Sequence, residues 1–260
     1  MNRMIRHTLP LLIAAAAIVP AGGAPMAAGP APKPGARVVP HGPGSIAGTW
    51  ENAEYKFTGL PPRERTIRTV DGAAPPLLPW AGRLLDQRVR DAEAGKVFAN
   101  TLSECLPRGV PQMVFGAAYP IRILEDPGVV TILYVEQNHF RTIPLGASHA
   151  ADPDPSYMGD SVGHWEGDTL VVDTIGLSKR TTLDMVGTPH TEQLHVVERY
   201  RRIAPDRLEV RVTIDDKGTF GKAWDARTTY RPATGDMTEY ICENNRNAPD
   251  AEGHTGFRAQ

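Results

Sequence analysis

The residues best suited to chemistry lie in one short stretch near position 195. Within Pro189–Arg202 (PHTEQLHVVERYRR), two imidazoles and two carboxylates fall close together: His190, Glu192, His195 and Glu198. Histidine titrates near neutral pH, and a neighbouring carboxylate fixes its tautomer and raises its basicity. We therefore expect acid and base catalysis, with His195 as the proton-transfer residue, His190 as the second acid, and Glu198 or Asp154 as the partner carboxylate.

The strand predicted for this stretch sets a geometric condition on that hypothesis. On a regular strand His195 and Glu198 face opposite sides, so they reach one pocket only if a bulge lies between them. Without a bulge, His195 shares one face with Val197, and Glu198 shares the other face with Tyr200. The alternative is that these residues are exterior charges on a strand, with Glu198 paired to an arginine such as Arg211.

A second polar group occupies the loop at 145–160, which is longer than a hairpin needs. It contains His149, Asp152, Asp154 and Tyr157. A metal site built from His149, His190 and His195 with Asp152 or Asp154 is conceivable. However, neither HExxH nor any close-spaced pair of histidines occurs, so we predict no metal. Residues expected to contact a ligand are Asp152, Tyr157, Arg141, Trp165 and Tyr240.

Other motifs exclude several functions. Gly159–Gly163 matches the letters of GxSxG, but it lies between a loop and a strand with no following helix, which is the wrong context for a serine nucleophile. Phosphate-binding loops and GxGxxG do not occur, so we predict no nucleotide and no other cofactor. The net charge of -2 with mixed signs argues against a nucleic-acid partner.

The N-terminus predicts export. Arg3 and Arg6 precede an apolar run, Leu9–Val19, that is shorter than the roughly 20 residues of a membrane span. We interpret 1–28 as a signal peptide, 29–44, rich in Pro, Gly and Ala, as a disordered linker, and 45–260 as one domain, located in the periplasm or secreted. No stable membrane span is expected.

The two cysteines, Cys105 and Cys242, favour a disulfide in an oxidising compartment. The alternative is that one of them is a catalytic thiol.

The domain is predicted to be mostly β, an antiparallel meander closing into a lipocalin-like barrel. Short β-branched or aromatic runs alternate with turns that contain Pro, Gly or Asp. A helix is predicted near residues 80–99, after Pro79. The predicted strands are 46–55, 119–124, 129–136, 139–144, 161–165, 169–174, 193–203, 207–215, 222–230 and 237–243.

Alternation within the strands predicts what lines the barrel. Leu208, Val210, Val212 and Ile214 share one face, and Trp224, Ala226, Thr228 and Tyr230 share another. A lining that mixes aromatic and hydroxyl side chains suits a pocket for a mid-sized, partly apolar ligand. A solid core with tyrosine hydroxyls at its rim remains the alternative.

Four blocks resemble a family of exported bacterial proteins with a lipocalin-like barrel. They are Cys105–Gln112, Asp152–Leu177, Pro189–Arg202 and Tyr240–Asn245, with the patterns DPDPxxMGxSVGxWEGDTLVVDT and PHxxxLHVxER in the second and third. Gly48, Thr49 and Trp50 also resemble the G-x-W start of lipocalin-like barrels. The resemblance implies export and a β barrel, and no particular activity.

Three functions follow from these features. The first is an exported barrel enzyme doing cofactor-independent acid and base chemistry, as an isomerase, lyase or hydrolase, on a small, partly apolar molecule. The second is a periplasmic carrier of a small hydrophobic ligand. The third is a structural envelope domain with a solid barrel. An enzyme requires His195 to point into a pocket, and a carrier leaves the histidines outside it.

Overall fold

The strands of the protein form one antiparallel sheet. The computed structural model describes residues 44–55, 60–96, 101 and 104–242, so the predicted signal peptide and nearly all of the linker lie outside the described residues. The strands are β1 Gly48–Asn52, β2 Ile121–Asp126, β3 Val129–Tyr134, β4 His139–Pro144, β5 Asp160–Glu166, β6 Thr169–Ile175, β7 His195–Ala204, β8 Arg207–Asp215 and β9 Trp224–Pro232. The helices are α1 Pro79–Glu93 and the short α2 Gln112–Phe115.

The nine strands follow the order β4-β3-β2-β1-β9-β8-β7-β6-β5. Because the number of strands is odd and every ladder is antiparallel, the two outermost strands, β4 and β5, run in the same direction. They meet through a parallel bridge between Leu145 and Gly163, with the Gly146 N–H donating to the Gly163 carbonyl at 2.8 Å. The predicted antiparallel meander is therefore confirmed as a nearly closed barrel.

A glycine allows the close approach at this seam. A Cβ built on Gly163 lies 2.7 Å from Cγ2 of Ile143, a distance that real side chains do not reach. Only glycine fits at this position of β5, because a side chain would collide with Ile143 of β4. Packing therefore accounts for Gly163.

The inside of the barrel is filled with side chains. Leu208, Val210, Val212 and Ile214 all point inward and are fully buried, as their alternation predicts. The large fully buried side chains include Trp50, Ile123, Ile132, Leu170, Tyr200 and Tyr230. In β1, the Trp50 indole N–H donates to the Ile46 carbonyl at 2.9 Å. The Arg202 guanidinium lies 5.0 Å from the centroid of the Trp50 ring.

The segment 105–117, here named the plug, covers the end of the barrel at which β1 and β6 end and β7 begins. Its Val110, Met113 and Val114 are buried. The Val114 carbonyl accepts hydrogen bonds from the Asn52 amide at 3.2 Å and from the Tyr230 hydroxyl at 2.5 Å. The disulfide between Cys105 and Cys242 ties the plug to the chain after β9, and this predicted pairing is confirmed.

Helix α1 packs beside this end of the barrel and begins at Pro79, one residue before the predicted start. It buries Ala81, Leu85 and Val89, and it ends at Glu93, before a left-handed Gly95. The predicted helix to residue 99 is too long, and residues 97–100 lie outside the described residues. In the described part of the chain, no helix is long and apolar enough to cross a membrane.

One predicted strand, 237–243, is wrong over its described residues 237–242, which form no strand. The physical reason is the lack of a free edge: β1 and β8 occupy both sides of β9, and β4 and β5 face each other. The alternating side chains instead anchor a coil. Tyr240 is buried with its ring 5.3 Å from that of Tyr119, and the Asn138 amide donates to the Tyr240 carbonyl at 2.5 Å.

Candidate functional site

The structure places His195 and Glu198 on opposite faces of β7. The strand is regular between them, and its one irregularity lies at Arg202/Ala204. Glu198 is fully buried inside the barrel, whereas 41% of the His195 side chain is exposed on the outer wall. The bulge that would have brought both into one pocket does not occur, so these two residues do not form an acid–base pair.

Glu198 is instead the partner of a buried arginine. Its two carboxylate oxygens accept hydrogen bonds from Arg141 at 3.0 and 2.6 Å, and the Tyr200 hydroxyl donates to it at 2.7 Å. Arg141 also donates to Ser161 at 3.0 Å and to Thr174 at 2.6 Å. This interior network joins β4 to β5, β6 and β7 across the seam of the barrel. The expected partner, Arg211, is replaced by Arg141.

The arginine and the tyrosines of this network each keep one protonation state at neutral pH. Burial alone would lower the pKa of Arg141, but the charge and hydrogen bonds of Glu198 outweigh burial and raise it. Burial raises the pKa of Tyr134 to about 12 and also raises the pKa of Tyr200 well above its ordinary value. A charged guanidinium and neutral phenols are therefore retained at neutral pH. Ser161 also belongs to this network, and its hydroxyl accepts a hydrogen bond from Arg141 inside the barrel.

His190 and Asp154 lie apart from both His195 and Glu198. The buried His190 ring contacts the Thr181 hydroxyl through Nε2 at 2.7 Å and donates through Nδ1 to the Thr191 carbonyl at 2.8 Å. Burial lowers the pKa of His190, so its ring is neutral and fixes the turn before β7. Asp152 and Asp154 are exposed on the loop after β4.

The five predicted ligand contacts do not converge either. Arg141 is buried in the interior network, and Tyr240 packs on Tyr119. Tyr157 lies 5.5 Å beneath the Arg180 guanidinium, and Trp165 is partly exposed near the β5–β6 turn. These predicted contacts therefore have separate places in the structure and do not line one pocket.

The outer wall carries a cluster that we name the histidine clasp: His149, Asp160, Asp173 and His195. The Asp173 Oδ1 atom lies 2.8 Å from Nε2 of His195 and 3.0 Å from Nε2 of His149. The other ring nitrogen of His149 lies 3.1 Å from Asp160 Oδ2. These contacts fasten the loop after β4 across β5, β6 and β7. In the described part of the chain no group of three or more His, Cys, Asp or Glu side chains is arranged to hold a metal ion.

Replacing His149 with alanine is expected to loosen the loop without unfolding the barrel. The change removes two side-chain hydrogen bonds, and a partly exposed bond contributes about 1 kcal/mol. We expect amide hydrogen exchange at residues 147–153 to accelerate at least about fivefold, measured by mass spectrometry. His164→Ala is the matched control, since that imidazole pairs with Glu166 on the same wall. Equal exchange in both variants would show that the clasp does not hold the loop.

A cleft of about 810 Å³ opens outside the plugged end of the barrel. One wall is formed by α1 and the residues that follow it, and another by the chain from Leu60 to Gly72, which also contacts α1 through the pair of Arg63 with Asp86. The floor is formed by the plug, by the loop 183–186, by the end of β1 and by Arg227 and Thr228 of β9. The apolar part of the lining consists of Leu60, Ile67, Val70, Phe115, Leu183, Met185 and Val186.

The floor of the cleft rests on a buried ion pair. Arg108, fully buried in the plug, pairs with Glu136 and donates to the Gly116 carbonyl at 2.6 Å and to the Met185 sulfur at 2.8 Å. Burial raises the pKa of Glu136, and the positive charge of Arg108 opposes the rise. Because Gly116 and Met185 line the cleft, this pair fixes the floor in place.

Asp184 fixes the loop that forms another part of the floor. Its Oδ1 accepts backbone N–H bonds from Val186, Gly187 and Thr188 at 3.0–3.1 Å, and its Oδ2 accepts one from Ile67 at 3.3 Å. Burial raises the pKa of Asp184, and these hydrogen bonds oppose the rise. The carboxylate thus ties the backbone at Ile67 to the loop 184–188.

Sequence reasoning missed the cleft. Its one signal was the arginine-rich segment Pro61–Arg68 shortly before a predicted helix. Nothing local indicates that this segment and α1 line the same cleft. Comparison with known proteins adds no relative: no protein-family model, no curated protein and no solved structure matches the chain.

Proposed function

We propose that the protein is an exported carrier that binds a small, partly apolar molecule in the cleft beside α1. The observation that carries this proposal is the cleft itself, whose volume of about 810 Å³ lies in the range typical of small-molecule sites. Its lining combines an apolar surface with polar side chains such as Asn52, Gln112 and Thr228. That mixture favours a ligand with a hydrocarbon body and at least one polar group.

The filled barrel also supports binding at the cleft over binding inside the barrel. Tyr200, Tyr230 and the pair of Arg141 with Glu198 occupy the interior. A ligand there would have to displace buried, hydrogen-bonded groups, which is costly. The cleft offers space without that cost.

Export is part of the proposal. The disulfide between Cys105 and Cys242 is typical of proteins from oxidising compartments, and the N-terminal sequence has the composition of a secretory signal. The proposed location is the periplasm or the exterior of the cell. The resemblance to a family of exported bacterial barrels supports the same location.

The catalytic hypothesis required His195 to point into a pocket, and His195 instead lies on the exposed outer wall, outside the lining of the cleft. The second candidate is therefore a different one, acid–base catalysis on that outer wall. The observation that favours it is the contact of His195 with Asp173 at 2.8 Å, combined with a side chain that is 41% exposed. An imidazole held by a carboxylate on one side and open to solvent on the other has the arrangement of a general base. The substrate would bind against β7, and Glu198 would take no part.

One experiment separates the two functions. The purified protein is incubated with a host metabolite extract, alongside the variants Ala92→Trp, Ala94→Trp and His195→Ala, and retained and consumed compounds are measured by mass spectrometry. Ala92 is exposed and lines the cleft, whereas Ala94, the residue that follows α1, is exposed and does not line the cleft.

We expect a compound retained by the wild type and by Ala94→Trp, and lost from Ala92→Trp. Retention that survives Ala92→Trp would contradict binding in the cleft. Consumption by the wild type that His195→Ala lacks would establish the catalytic candidate instead.

A further inference from the structure

The charges that line the cleft are unequal. The cationic residues of the lining are Arg65, Arg68, Arg88, Lys96 and Arg227, and the acidic residues are Glu54, Glu64 and Asp184. The protein as a whole has a net charge of -2. The positive excess is therefore a property of the cleft, not of the whole chain.

Two of the three acidic groups are already engaged. The Asp184 carboxylate accepts backbone N–H groups from its own loop and from Ile67, so it is turned into the protein. Glu54 accepts the Thr229 hydroxyl at 2.9 Å. Glu54 uses one carboxylate oxygen for this bond and is exposed, as is Glu64, so the five cationic residues of the lining still outnumber the exposed carboxylates.

Two of the arginines, by contrast, have no carboxylate partner among the described residues. Arg65 donates through Nε to the Leu60 carbonyl at 2.8 Å, and Arg68 donates through Nη2 to the Arg63 carbonyl at 3.0 Å. These bonds fix each side chain along the wall and leave further N–H groups of both guanidiniums for a ligand, since a guanidinium carries five. The neighbouring Arg63 differs, because it pairs with Asp86 at 2.7 Å and does not line the cleft.

We infer that the ligand of the cleft is an amphipathic anion, with its carboxylate or sulfonate group bound by Arg65 and Arg68 and its hydrocarbon body against the apolar wall. The inference rests on the proposed carrier function and names the chemical class of its ligand. Guanidinium groups bind such planar or tetrahedral oxyanions through paired N–H donors. Ile67 lies between the two arginines in sequence, is buried, and lines the cleft together with Val186 and Phe115.

Two fluorescent probes with the same hydrocarbon frame test this inference. The dye 8-anilinonaphthalene-1-sulfonate carries a sulfonate, and N-phenyl-1-naphthylamine lacks it. Dissociation constants for both are measured by fluorescence titration of the purified, disulfide-bonded protein. The variants are the double substitution Arg65→Gln/Arg68→Gln, its control Arg63→Gln, and Ala92→Trp, which fills the cleft. Circular dichroism confirms that each variant is folded.

We expect the sulfonate to bind at least about tenfold more tightly than the neutral probe, the equivalent of about 1.4 kcal/mol. The double variant should reduce this preference to about threefold or less and leave the affinity for the neutral probe unchanged, whereas Arg63→Gln should preserve it. Equal affinities in the wild type, with both probes blocked by Ala92→Trp, would overturn the inference and leave the carrier function standing. Binding of both probes that Ala92→Trp does not reduce would overturn both.

Discussion

Replacing Glu198 with alanine is expected to lower the free energy of unfolding by about 3–5 kcal/mol, because the buried Arg141 then loses its counter-charge. The Arg141 and Glu198 side chains are 2% and 0% exposed, so water does not replace the missing carboxylate. The change also removes the acceptor of the Tyr200 hydroxyl. Urea denaturation followed by circular dichroism measures the loss.

The matched control is Glu166→Ala, which breaks the pair of Glu166 with Arg199 on the outer wall. Exposed pairs contribute little, so the urea midpoint of this variant should stay close to that of the wild type. A further variant, Arg141→Met/Glu198→Leu, should recover part of the stability, since an apolar pair leaves no buried charge. If Glu198→Ala lost less than about 1 kcal/mol, the pair would not be holding the seam of the barrel together.

Removing the disulfide is expected to produce an effect of similar size. The bond joins residues that are 137 positions apart, and closing such a loop is worth about 5 kcal/mol in the chain-entropy model. The variant Cys105→Ser/Cys242→Ser should therefore unfold at a much lower urea concentration. It should also release the chain after β9 from the plug.

Reduction of the wild-type protein supplies the control, because it breaks the same bond without changing any residue. The reduced protein and the double serine variant should have matching urea midpoints. If the variant were as stable as the oxidised wild type, the cross-link would not be restricting the unfolded chain.

Local patterns were sufficient for most of the strands and for the start of α1. The segment Arg207–Asp215 alternates apolar and polar residues without interruption, and it forms a strand with the same bounds. Such a pattern predicts a strand because successive side chains point to opposite faces. The same rule misassigned 237–242, since a strand also needs an edge to pair with, and whether an edge is free depends on the whole sheet.

The site required information that alternation does not contain. Alternation along β7 did not indicate whether Glu198 faces the inside or the outside of the barrel. In the closed barrel it lies inside, where it pairs with Arg141, a residue 57 positions away. The pairing of β6 with β7, Asp173 opposite Val197, placed Asp173 diagonally beside His195. Neither contact is visible locally, because each depends on the register between separate strands.

Local sequence patterns and the presence of only two cysteines were enough to predict the class of the fold, most strands, the main helix and the pairing of Cys105 with Cys242. Which charges are buried, that His195 faces outward, and where a ligand has room all depend on contacts between distant segments. Once the nine strands close into a barrel, each strand residue faces either the interior or the outside. Arg65, Arg68 and α1 are distant in sequence and come together to line the cleft only in the folded chain.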